Sequence, residues 1–240
     1  MRNVTIAIDA AVSAKFPELL CGAFIVKGLT GIDAGQFLVN AETLKARLAA
    51  EGLTEETVLT HPAISGWRRA IQTLGLKAAK FRSSAEQLVR RAARGDEIKA
   101  PGDLVRLYCQ LSALHVAPLG GYDIQSLPST DIVVRFACPT DDFHPLGGTD
   151  GEMDLHDRII VYAAGSDVIC WAFNVRDDRR TALTEHTSMA LFTTEAVFPE
   201  QRAASCRALS ELRENLVSAG ASASPILWTT GDLIQLTSGL

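Results

Sequence analysis

Apolar positions along the chain change period once. Before residue 131 they recur mostly at helical spacing, and after it mostly at strand spacing. Two strands precede the helices. Val4 to Ile8 alternates, and Cys21 to Val26 follows the break at Phe16-Pro17. Gly28 to Gly35 reads as a turn region. Ala41 to Ala50 puts Leu44 and Leu48 on one helical face and stops at Gly52. A short helix is read after Thr54. Ala63 to Leu74 carries the stripe Ile64, Trp67, Ile71 and Leu74, closed by Gly75. Lys77 to Arg82 is a basic connector. Ser83 or Ser84 then caps a helix, with Glu86 and Gln87 placed for a capping box, that buries Leu88 and Ala92.

The most regular pattern starts at Leu104. Leu104, Leu107, Tyr108, Leu111 and His115 share one face, Asp103 is read as the N-cap, and Pro118 stops the helix. Gly120-Gly121 then permits a sharp turn or a close backbone approach. Strands are read at Ile132 to Phe136, Arg158 to Tyr162, Val168 to Phe173 and Thr187 to Val197. Residues 143–150 read as a loop, and the second and third of those strands form a hairpin. Glu200 to Ala219 is a long helix with Cys206, Leu209, Leu212 and Leu216 inward. Helices followed by strands with short links predict an α+β fold: a single compact domain over 1–240, with a central mixed or antiparallel sheet flanked by helices. Its core spans about 5–220, and 221–240 is a tail or edge strand.

Composition leaves this picture intact. Nearly half of the 240 residues are apolar, which suits a globular chain. No apolar leader or membrane-length run is present, so a cytoplasmic protein with no membrane association is expected. The five cysteines lie far apart without metal or redox spacing, and the five histidines form no ligand pattern. No metal and no cofactor are expected.

Charge adds one feature. The net charge is −5, yet residues 66–100 hold nine basic side chains and three acidic ones. A local basic surface on an acidic protein is a footprint for a polyanion, unless acids from elsewhere in the fold balance it. No Gly-x-Ser-x-Gly, phosphate loop or dinucleotide fingerprint occurs. A polar run leaves a strand at Trp171, and brings Asn174, Arg176, Asp177, Asp178, Arg179, Arg180 and Thr181 together. It is a binding edge or a charged turn with internal ion pairs.

Several separated motifs then resemble one family. They are His61-Pro62 with Trp67-Arg68-Arg69, Leu74-Gly75-Leu76-Lys77 with Lys80-Phe81-Arg82-Ser83-Ser84, and Leu104-Val105 with Leu107-Tyr108, Ser112 and Pro118-Leu119-Gly120-Gly121-Tyr122-Asp123. Pro145-Leu146-Gly147-Gly148 and Trp171 through Thr181 follow in order. Together they resemble the free-standing B3/B4-domain proteins, which are similar to the editing domain of the phenylalanyl-tRNA synthetase β subunit. The resemblance implies an enzyme, an aminoacyl-tRNA deacylase acting in trans on a wrongly charged tRNA. Some free-standing members clear canavanyl-tRNA(Arg), which makes tRNA(Arg) the expected partner of a monomer. The synthetase pocket uses a Thr-Asn pair and a following His. Here Tyr108, Cys109 and Gly120 stand there, so its tyrosine-rejecting pocket is not reproduced.

An aminoacyl ester is already activated, so the protein need only place water and stabilise an oxyanion. The catalytic group is accordingly read as Tyr108, Ser112, Gly120, Gly121 and Asp177. Substrate contacts are read at Asp123, Gly147, Gly148, Glu152, Trp171, Asn174, Arg176, Arg180 and Thr181. Asp177, Asp123 and Glu152, in that order, are the carboxylates read as partners of a guanidino-type side chain. Arg68, Arg69, Lys77, Lys80, Arg82, Ser83, Arg90 and Arg91 are read as the tRNA-binding set. A non-catalytic tRNA- or RNA-binding module on the same scaffold is the alternative, and a small-molecule binder or unrelated hydrolase is the third reading.

Overall fold

The computed structural model describes residues 3–151 and 153–237. Its strands divide between two sheets with the main core between them. The first has the order β11(Ile234–Thr237), β1(Asn3–Ile8), β4(Asp131–Phe136), β5(Ile160–Ala164), β6(Asp167–Trp171), β7(Arg176–Asp177). The β1·β4 pair is parallel and the other pairs of that sheet are antiparallel, so the sheet is mixed. The second is antiparallel: β10(Leu227–Thr229), β2(Leu20–Lys27), β8(Met189–Ala196), β3(Gly120–Asp123), with β9(Ser222–Ala223) also on β2.

Alternation sets the layers. Val4, Ile6 and Ile8 of β1 meet Cys21, Ala23 and Ile25 of β2 in the inter-sheet core. The other face of β2, Phe24 and Val26, packs with Phe192 against α5(Asp103–His115) and α6(Pro199–Ser218). Burial on both faces explains the unbroken apolar run at Cys21 to Val26. Phe24 and Phe192 stack there with centroids 5.5 Å apart. A helical lobe joins α2(Ala41–Ala50), α3(Pro62–Thr73) and α4(Ser84–Arg94) around Leu44, Leu48, Ile64 and Val89. The α+β class with flanking helices therefore holds, and the sheet is two sheets.

Local readings differ at several ends. The α5 N-cap is Gly102, and Asp103 lies in the first turn, where a carboxylate suits the helix dipole. That helix ends at Val116, whose φ is 54°, before Pro118 is reached. The glycine pair is not a turn but the start of β3. Ser83 does cap α4, its Oγ accepting from Glu86 N–H at 3.2 Å. The Glu86 side chain turns away to Arg68, so no capping box closes. Val89 takes the buried position assigned to Leu88. The stretch after Thr54 forms only a 3-10 turn at Val58–Thr60. Among the described residues no helix is long and apolar enough to cross a membrane.

Candidate functional site

The two sheets bring their short edge strands together. β3 ends the second sheet, β7 ends the first, and Tyr122 bridges to Ala182 beyond β7. Between β6 and β7 the chain turns through Ala172 (φ 54°) and Phe173 (φ 64°). Left-handed backbone at two non-glycine residues is costly and persists only where packing holds it. Here Phe173 is wedged edge-on against Trp67 and Phe16, centroids 5.5 and 5.7 Å away. The turn swings Asn174 inward.

Asn174 lands in a buried polar cluster. Its Nδ2 donates to Glu195 Oε1, and its Oδ1 accepts from the Ser84 N–H at 3.1 Å. The Tyr162 hydroxyl donates to Glu195 Oε2 at 2.9 Å and lies 3.5 Å from the Cys21 thiol. One strand across, the Tyr122 hydroxyl donates to Asp177 Oδ1 at 3.3 Å, and the Cys170 thiol joins both. Gly120 leaves room for this arrangement. A Cβ there would sit 2.7 Å from the Tyr122 hydroxyl and 2.9 Å from Thr193 Oγ1. A Cβ on Gly121 would meet Tyr108, Leu183 and Phe192. The cluster reaches solvent at Gly120, Asn174 and Asp177, which are partly exposed.

Burial sets the charge states. Desolvation, with the Asp177 carboxylate nearby, pushes Glu195 up to about 7. Asp177 is also raised, chiefly by its desolvating walls, although Tyr122 and Cys170 hydrogen bonds pull the other way. A buried carboxyl titrating near neutrality beside a second carboxyl suits proton transfer. Burial pushes the Cys21 and Cys109 thiols up to about 12 and raises Cys170, so none of the three is a ready thiolate.

The basic segment folds into a groove on α4. Arg82, Arg90, Arg91, Arg94 and Lys99 line a hollow of about 390 Å³ with no acidic residue among its described lining. A second hollow, about 310 Å³, shares Arg82 and Gln87 with it and adds Lys80 and Arg176. Several cations of the segment are ion-paired, Arg94 of the groove among them, with its Nε 2.8 Å from Asp96. Arg68 pairs at 2.7 Å with the fully buried Glu86, which Arg90 also approaches at 3.6 Å. Arg69 pairs with Glu200 at 2.6 Å and lies over the Phe198 ring. Lys77 is exposed and Ser83 is the buried cap.

The structure thus gathers Tyr108, Gly120, Gly121, Asn174 and Asp177 into one place. It sends the other site candidates elsewhere. Ser112 Oγ donates to the Ala117 carbonyl at 2.6 Å, inside the end of α5. Asp123 accepts from Gln125 N–H and Thr187 Oγ1, both at 2.8 Å. Trp171 and Arg176 face the outer side of the first sheet, opposite to Asp177. Gly147 and Gly148 form a turn that passes Arg176, whose Nη1 donates to the Leu146 carbonyl at 2.8 Å. Arg180 is held by Asp178, Asp142 and Asp167, and Thr181 Oγ1 is turned to the Asp178 carbonyl. Glu152 lies outside the described residues. Among the described residues no group of three or more His, Cys, Asp or Glu forms a candidate metal site.

Sequence reasoning missed Glu195, Tyr162 and Tyr122. Glu195 had a signal, a lone carboxylate inside the otherwise uncharged strand Met189–Ala196. The two tyrosines had none that separates them from core aromatics.

Comparison with known proteins adds the following. Residues 66–216 match the B3/4 domain. No curated protein sequence matches the chain. Among solved structures, an N-terminal fragment of the phenylalanyl-tRNA synthetase beta subunit from Pyrococcus horikoshii is similar at 15% identity, with a TM-score of 0.46. That similarity covers 92% of this chain and 50% of the other, so the chain spans half the length of that fragment. The match over 66–216 takes in most of the chain, including α4, α5, β3, β7, β8 and the buried carboxylate cluster, and on it the chain belongs to the B3/4 domain family.

Proposed function

We propose that this chain is a trans-acting aminoacyl-tRNA deacylase that hydrolyses the ester of a wrongly charged tRNA, with canavanyl-tRNA(Arg) as its first substrate to test. The observation that carries this reading is the pairing of Asp177 and Glu195 in one buried cluster beside the glycine strand. The basic groove on α4, with no acidic residue among its described lining, supports a phosphate-bearing partner.

In this reading Arg82, Arg91 and Lys99 hold phosphates without reading sequence. The aminoacyl ester comes in where the cluster reaches solvent, at Gly120, Asn174 and Asp177. The Asp177 carboxylate takes a proton from water as the water oxygen bonds to the ester carbonyl carbon. Backbone N–H groups of the edge strand β3 that do not face β8 stabilise the oxyanion. The ester C–O bond then breaks, and the ribose oxygen leaves with the proton that Asp177 held. Glu195 keeps Asn174 in place beside the cluster by accepting from its Nδ2.

The experiment is deacylation of canavanyl-, arginyl-, tyrosyl- and seryl-tRNA, with buffer and Asp177→Ala controls. Selective release of canavanine, lost in Asp177→Ala, is the expected result. Release no faster than in buffer for every ester, with tRNA still bound, favours the second reading, a non-catalytic tRNA-binding module. One observation speaks for that reading. The hollow adjoining the groove is lined by Trp171, Val175 and Arg176 of the β6–β7 turn, whereas Asn174 of the same turn is directed to the cluster.

A further inference from the structure

We propose that the hollow next to the α4 groove is a base pocket that accepts one unpaired nucleotide of a bound RNA strand. This rests on the nucleic-acid part of the reading above and needs none of its chemistry.

The hollow has a mixed lining. Its lining combines the apolar side chains of Met153, Val175 and Trp171 with the cations Lys80, Arg82 and Arg176. None of its described lining residues is acidic. Its volume is about 310 Å³, at the small end of the roughly 300–1,000 Å³ of ligand sites, which suits one nucleotide and not a longer stretch. Apolar side chains together with cations are what a base and its phosphate require. The base replaces water on the apolar side chains and the phosphate meets the guanidinium and ammonium groups.

The walls are held in place before anything binds. Phe81 stacks behind Trp171 at 5.1 Å with the rings 26° apart, and Trp171 Nε1 donates to the Asp154 carbonyl at 2.9 Å. Arg176 is tethered to the Leu146 carbonyl. Gln87 Nε2 donates to the Arg82 carbonyl at 2.9 Å, so the amide has a fixed orientation at the mouth. Ordering costs on binding are correspondingly low.

Continuity argues for a strand and against a free small molecule. Arg82 and Gln87 line both this hollow and the cationic groove of Arg90, Arg91, Arg94 and Lys99. A strand whose phosphates follow the groove reaches the pocket as its next step. A paired base cannot enter, because its edge is occupied and its faces are stacked. The pocket therefore selects a single-stranded extension beside a duplex.

The test uses uncharged RNA and the full chain. Binding is measured for a hairpin with a short 3′ single-stranded extension, for the same hairpin blunt-ended, and for adenosine monophosphate. The extension is expected to raise affinity about tenfold, in line with one base on an apolar platform. Val175→Gln and Met153→Gln, which add polar bulk without charge, are each expected to erase that gain and to leave blunt-hairpin affinity unchanged, which also reports that they fold. No gain from the extension, or a gain that survives either folded variant, overturns the pocket. Adenosine monophosphate bound without any gain from the extension overturns it in favour of a free-nucleotide site. Failure of both hairpins to bind removes the nucleic-acid reading as a whole, whereas a lost extension effect alone removes only the pocket.

Discussion

Asn174 joins two elements that the chain places far apart: its Nδ2 donates to Glu195 in β8, while its Oδ1 holds the first N–H of α4 at Ser84. The strained turn at Ala172-Phe173 exists to put it there, and the helix carrying the basic groove is thereby tied to the carboxylate cluster. Asn174→Ala leaves Glu195 Oε1 and the Ser84 N–H without this partner. The expected loss is about 1–3 kcal/mol, read from the denaturant midpoint. Asn174→Asp sets a carboxylate against Glu195, so its deficit should grow as pH rises. Equal stability of the wild type and both variants would remove Asn174 from its linking role.

The Glu195 carboxyl makes stability depend on pH with an unusual sign. Its folded value is about 7 against an ordinary 4.5. Between those values the unfolded chain has released the proton and the folded chain keeps it. The contribution is therefore complete below about 4.5 and lost as pH climbs toward 7, to a total of about 3 kcal/mol. Glu195→Gln removes this dependence. The amide fits the site because its oxygen accepts from Asn174 and its NH2 faces the Tyr162 oxygen, which can accept. Wild-type stability minus that of Glu195→Gln should decline from pH 4.5 to 7 and then level off. A difference that stays flat across that window would show that Glu195 is not held protonated.

Gly120→Ala tests the close approach at β3. The added methyl would lie 2.7 Å from the Tyr122 hydroxyl and 2.9 Å from Thr193 Oγ1, well inside contact distance. Alanine suits a strand better than glycine, so any loss reports crowding rather than backbone preference. The cost expected is about 1–3 kcal/mol, with the Tyr122–Asp177 bond displaced. Thermal unfolding gives the first quantity, and ester hydrolysis, if present, should fall with the second. A melting temperature at or above the wild type would mean that Tyr122 can move aside freely.

How much of this was legible follows from what a side-chain pattern encodes. α3, α5 and α6 were readable because their apolar stripes repeat several times, and β1, β2, β4 and β8 because their runs are long. β3 was not, since its first two residues are Gly120 and Gly121, which carry no pattern and look like a turn. The division into two sheets was not readable either, because pairing partners such as β1 and β4 lie more than a hundred residues apart. At the site, Asp177 and Asn174 stood out in a polar run, while Glu195 was hidden in an apolar one. Ser112 and Arg180 looked available in sequence. Their engagements with Ala117 and with Asp178, Asp142 and Asp167 are tertiary facts.

The basic segment divides into cations that hold the fold and cations that are free for phosphate, and salt dependence separates the two. Lys80, Arg82 and Lys99 have no ion-pair partner among the described residues, and each lines a hollow with no acidic residue among its described lining. Changing any one of them to Ala should weaken RNA binding alike for all sequences. It should also flatten the slope of log affinity against log salt by about 0.7–0.9, the share of one phosphate contact. Arg68 behaves differently because Glu86 is fully buried beneath it. Arg68→Ala should leave the salt slope unchanged and destabilise the chain. The loss should be smaller than the roughly 3–5 kcal/mol of breaking a buried pair, since Arg90 remains 3.6 Å from the same carboxylate. Salt titrations of the four variants beside their unfolding midpoints decide it. A flattened slope in Arg68→Ala at wild-type stability would return Arg68 to the RNA surface, and unchanged slopes in the other three would take the groove off it.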